Sequence, residues 1–149
     1  MHNVLEIFSN RILLCAVASW FAAQVLKVPI YWLIERKFDW RRVFESGGMP
    51  SSHSAFVVSL ALMVGLNDGF ATTAFAITFT LAAIVMYDAA GVRRETGTQA
   101  AVLNRLLKDL LIDGKPISED TLKELIGHTP VEVFAGAVLG LIMTLIFML

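Results

Sequence analysis

The chain has 149 residues, 56% of them hydrophobic and 17% charged, with a mean hydropathy of +0.68 and a formal net charge of −1. A water-soluble globule of this size has too little interior to hide that much apolar surface, so an ordinary soluble domain, a disordered tail and a coiled coil are excluded, and a bilayer is the natural solvent. A single cysteine, Cys15, rules out an internal disulfide framework or a cysteine-built metal site, and the near-neutral charge gives no polybasic signature of nucleic-acid binding.

A membrane-crossing helix needs roughly 20 apolar residues, because about 30 Å of hydrocarbon is crossed at about 1.5 Å per residue. The first candidate is uncharged from Ile12 to Leu26 and, with Lys27 tolerated near its end, continues to Ile34. The apolar run before the small residues Ala16, Val17 and Ala18 is too short for a signal-peptide core, so this segment reads as an uncleaved anchor. The second, from Ser54 to Leu66, is short unless Pro50 to His53 form its first, protein-enclosed turn. The third, Phe70 to Tyr87, is uncharged throughout.

The long connection that follows places Leu103, Leu106, Leu107 and Leu110 at helical spacing opposite Arg105, Lys108 and Asp109, which predicts an amphipathic helix between Gln99 and Leu111. A turn at Asp113 to Pro116 precedes a short helix that Ser118 would cap and that ends near Gly127. The fourth membrane segment starts near Pro130 and carries no charge from Val133 to Leu149. Thr129 and Glu132 fit a capping box, with Pro130 at the first helical position. The expectation is a single all-α, polytopic transmembrane helical bundle over residues 1–149, with about four spanning helices plus the amphipathic cytoplasmic helix.

Ten of the twelve Lys and Arg residues fall in two connections, 35–49 and 88–129, whereas Asn67, Asp68 and Gly69 have none. Basic residues are retained on the cytoplasmic side, so both basic connections are placed in the cytoplasm and both chain ends outside. That topology gathers unusual polar residues at one face. Gly47 to Ser54 lead into the second span, Asp88, Gly91, Arg93 and Arg94 leave the third, and Gly127 to Glu132 enter the fourth. Singly, these have plain structural readings as caps, turns and orientation signals. Jointly, they deliver two histidines, hydroxyls, acids and arginines to helix starts whose amides and dipoles favour a bound anion. Arginine binds phosphate through a planar fork, imidazole attacks phosphorus or donates a proton, and an acid four residues after His128 can hold its ring.

These residues resemble the divergent branch of the type 2 phosphatidic acid phosphatase (PAP2) family, related to the acid phosphatases and vanadium haloperoxidases. The likeness rests on residues 47–55, 88–94 and 122–136 and, with the membrane segments, covers nearly the whole chain. It implies a site needing no metal or cofactor, in which His128 is the nucleophile, Glu132 orients it and His53 protonates the leaving oxygen. Ser51, Ser52, Arg93, Arg94, Lys27 and Asp88 are the implied substrate-binding residues. Where the wider family has an arginine-proline pair seven residues after its lysine, Lys27 is followed by Ile34, and where it has an arginine six residues before the nucleophile this chain has Leu122. The usual core has six helices, so a homodimer or the embedded cytoplasmic helix would complete the bundle.

The leading expectation is a phosphatase that hydrolyses a lipid phosphate or diphosphate through a phosphohistidine at the cytoplasmic leaflet, with membrane lipids and no nucleic acid as partners, in a bacterial plasma membrane. The alternative is a non-catalytic membrane protein that binds anionic headgroups or scaffolds a partner. A metal-dependent phosphatidyl transferase, suggested faintly by Asp88, Gly91 and Arg93, lacks the further aspartates its two metals need, since the next acids are Glu95 and Asp109.

Overall fold

A computed structural model describes residues 4–36, 38–44, 47–91, 99, 102–103 and 128–149. All regular structure among them is helical. The long α-helices are α1 (Arg11–Glu35), α2 (Ser52–Asp68), α3 (Thr73–Ala90) and α4 (Pro130–Met148), with short 3-10 segments at Val4–Ser9 and Trp40–Phe44. Gln99, Val102 and Leu103 are helical, and the remainder of the expected amphipathic helix, the short helix after Ser118, and both Arg93 and Arg94 lie outside the described residues.

Local chemistry sets the boundaries. Asn10, Ser51, Thr72 and Thr129 are N-caps, each accepting a hydrogen bond from the backbone amide three residues on. Helix α1 ends where Arg36 adopts the left-handed region at φ 56°, and α2 ends at Gly69, φ 102°. The four-residue turn Gly69 to Thr72 sends α3 back along α2.

Among the described residues three helices, α1, α3 and α4, are long and apolar enough to cross a bilayer. Helix α2, at the place of the expected second span, has 17 residues and is about 25 Å long, short of the hydrocarbon thickness. Its position explains how it can be. It packs against α1, α3 and α4, and its buried face carries Ser52, Ser54 and Ser59. A helix walled by protein can bury hydroxyls that bond inside the bundle, as the Ser59 hydroxyl does with the Ala55 carbonyl at 2.8 Å.

Helix α4 meets α2 through small residues. Gly136, Gly140 and Thr144 repeat at intervals of four and are all buried. A methyl group on Gly136 would collide with the Ser51 carbonyl oxygen, and one on Gly140 would lie 2.7 Å from that of Ala55. These glycines let the two backbones touch. Helix α1 runs antiparallel to α4: the Arg11 guanidinium donates to the Phe147 carbonyl at 2.7 Å, and the Cys15 thiol lies beside the Ser19 and Thr144 hydroxyls.

Candidate functional site

The start of α2, the end of α3 and the start of α4 are joined by main-chain hydrogen bonds. The Ser51 amide donates to the Glu132 carbonyl at 3.0 Å, and the His128 amide donates to the Ala89 carbonyl at 3.1 Å. Segments far apart in sequence thus share one end of the bundle, where the positive ends of the α2 and α4 dipoles meet.

Two imidazoles stand together at this junction. The rings of His53, in the first turn of α2, and His128, immediately before the α4 cap, have centroids 5.8 Å apart and planes inclined at 66°. His128 is 2% exposed. Its Nδ1 lies 3.1 Å from Glu132 Oε2, which fixes the plane of the ring.

Glu132 has two tasks. The same Oε2 accepts a hydrogen bond from the Thr129 amide at 2.9 Å, while the Glu132 amide donates to Thr129 Oγ1 at 3.3 Å, completing the capping box. A glutamate at this position is long enough to reach back to the cap amide, which fixes its carboxylate beside the His128 ring. Capping and orientation, read from sequence as competing roles, are performed by one oxygen.

The remaining candidates divide. Ser51 and Ser52 are buried at the α2 start. Ser51 is the helix cap, its Oγ accepting from the Ser54 amide at 3.3 Å and from the Ser54 hydroxyl at 3.1 Å. Asp88 is half-buried and directly precedes Ala89, whose carbonyl receives the His128 amide. Lys27 is 3% exposed within α1. Counting twelve residues along α1 from Cys15, and twelve back along antiparallel α4 from Thr144, sets Lys27 level with Glu132. Arg93 and Arg94 fall outside the described residues.

Sequence reasoning did not single out Ser54, Gly136 or Gln24. Ser54 bonds to Ser51, and Gly136 provides the space in which Ser51 approaches α4. The signal for Gly136 was its spacing, four residues after Glu132 and four before Gly140. Among the described residues, no three His, Cys, Asp or Glu side chains gather as a set of metal ligands.

Comparison with known proteins agrees with the architecture. Over 152 aligned positions the chain is 42% identical to the Bacillus subtilis (strain 168) protein named uncharacterized membrane protein YuiD, covering 95% of this chain and 96% of that one. No solved structure matches. With three apolar helices of spanning length and this membrane-protein relative, the chain is an integral membrane protein. The family model for the divergent PAP2 family matches residues 8–143, and the chain belongs to that family.

Proposed function

We propose that the protein is a membrane phosphatase that cleaves a lipid phosphate or diphosphate through a phosphohistidine. The observation that carries this reading is the pairing of the His53 ring with the Glu132-held His128 ring at the junction of two helix starts. In the first step His128 Nε2 attacks phosphorus. The N–P bond forms as the bond from phosphorus to the leaving oxygen breaks, that oxygen belonging to the lipid alcohol of a monophosphate or to the lipid monophosphate of a diphosphate, and His53 gives its proton to it. Water then attacks the phosphohistidine, His53 takes its proton, and the N–P bond breaks to release inorganic phosphate and restore both rings. Glu132 keeps the proton of His128 on Nδ1 and balances the positive charge that grows on the ring. Lys27, Ser52 and the arginines at 93 and 94 hold the phosphoryl oxygens, with Asp88 beside them. The concentration of basic residues in the connections flanking this end supports a cytoplasmic-facing site, and a bacterial plasma membrane is the host membrane of this reading.

The test is phosphate release by the purified protein from a panel of lipid phosphates and diphosphates in the presence of chelator. Wild type turns over and is inhibited by vanadate. His128→Ala abolishes release, and His53→Ala lowers it about 10²–10⁴-fold, as expected for loss of a general acid. Full activity in His128→Ala overturns the mechanism. Ile34 and Leu122, which stand where the wider family has phosphate-binding residues, favour a second reading as a headgroup-binding protein. Binding of anionic lipid without turnover across the panel selects it.

A further inference from the structure

Helix α1 carries one more polar group inside the bundle. Gln24 is 8% exposed, and its Oε1 is buried with no hydrogen-bond partner among the described residues. It lies three residues before Lys27, so the two buried side chains share a face of α1. The register that sets Lys27 level with Glu132 sets Gln24 level with Ala135, about 4.5 Å further from the site end of the bundle.

An unsatisfied amide oxygen at this depth is costly, because hydrocarbon and apolar side chains offer no donor. A ligand can supply one. With a phosphoryl group at the level of Lys27 and Glu132, one helical turn deeper is occupied by the second or third carbon of the esterified alcohol. An amide oxygen there accepts a hydrogen bond and gives none. We infer that Gln24 is a specificity residue that selects lipid phosphates bearing a hydrogen-bond donor, hydroxyl or amide N–H, next to the phosphate ester, over polyisoprenoid or simple alkyl phosphates that have none there. This rests on the phosphoryl site of the proposed function, although it requires binding alone and not turnover.

The experiment measures binding of non-hydrolysable phosphonates to the full-length protein in nanodiscs of zwitterionic lipid. Three chain-matched probes are compared, with a hydroxyl, an amide N–H, or neither on the second carbon. Wild type binds the donor-bearing probes about fivefold more tightly, the increment of one net hydrogen bond. In Gln24→Leu, close in size and without polar atoms, that ratio falls to near one while the melting temperature holds or rises, since a buried orphan acceptor is removed. A preference for only one donor type assigns the source and supports the inference. Equal binding of all three probes by wild type, binding of none, a ratio that persists in Gln24→Leu, or a lowered melting temperature in that variant overturns it. Failure of the phosphatase reading looks different: the ratio persists in wild type, but donor-bearing lipid phosphates give no His128-dependent phosphate release.

Discussion

Gly136→Ala tests whether the site depends on backbone contact between α2 and α4. The added methyl meets the Ser51 carbonyl oxygen and comes within 2.9 Å of the Ser54 Cβ. Neither can turn aside. The Ser51 carbonyl accepts the Ala55 amide at 3.1 Å as the first hydrogen bond of α2, and a Cβ atom moves only with its backbone. The helices must therefore part by about 1 Å to restore ordinary contact. Overpacking of this kind costs about 1–3 kcal/mol. Losing the bond from the Ser51 amide to the Glu132 carbonyl costs about 1 kcal/mol more. Alanine's better helix propensity returns up to about 1 kcal/mol. The net expectation is about 2 kcal/mol of destabilisation, read as a lower thermal midpoint of the detergent-solubilised protein. Because Ser51 adjoins the His53 turn and Glu132 holds His128, the same displacement separates the two rings, and a misplacement of about 1 Å costs about 10²-fold in rate. Gly140→Ala is the comparison: its methyl meets the Ala55 oxygen at 2.7 Å and the Ser59 nitrogen at 3.2 Å, one turn further from the histidines. It should lower stability with a smaller loss of phosphate release. A Gly136→Ala protein with wild-type midpoint and rate, or a Gly140→Ala protein more impaired in turnover than Gly136→Ala, refutes the reasoning.

Glu132→Gln keeps the length needed to cap Thr129 but loses the charge beside His128, so phosphate release falls about 10²–10⁴-fold, with a thermal midpoint within a few degrees of wild type; near-normal turnover would show that the pairing is structural only. Arg36→Gly removes a non-glycine residue from the left-handed region at φ 56° and raises stability by about 0.5–1 kcal/mol, measured in the same thermal assay, whereas a lower midpoint would mean that the exposed Arg36 side chain makes a compensating contact.

Much of this architecture was legible because its signals are local. The α1 span with Lys27 inside it, the break at Gly69, and the Thr129–Glu132 capping box are each written in consecutive residues, although the turn runs from Gly69 to Thr72 and not over Asn67 to Gly69. The meeting of His53 with His128 followed from counting basic residues to orient the spans, a rule that places helix ends without any knowledge of packing. What escaped depends on which helix sits in the middle. The shortness of residues 54–66 already pointed to a protein-enclosed first turn, but nothing local in them says that three helices surround the whole segment, which is what the buried serines require. Gly136 looked like one more small residue in an apolar run, since its value lies in the Ser51 carbonyl that approaches it from another helix. Gln24 was hidden for the same reason: its depth is set by the antiparallel register of α1 and α4.

The junction around the histidines is riveted through peptide groups, Ser51 to Glu132 and His128 to Ala89. Peptide groups are common to every residue type except for proline's missing N–H, so these rivets survive almost any exchange of the side chains beside them. Reactivity and scaffolding are consequently inherited on separate terms. A duplicated gene that exchanged both imidazoles in two codon changes would still encode the same joined helix ends.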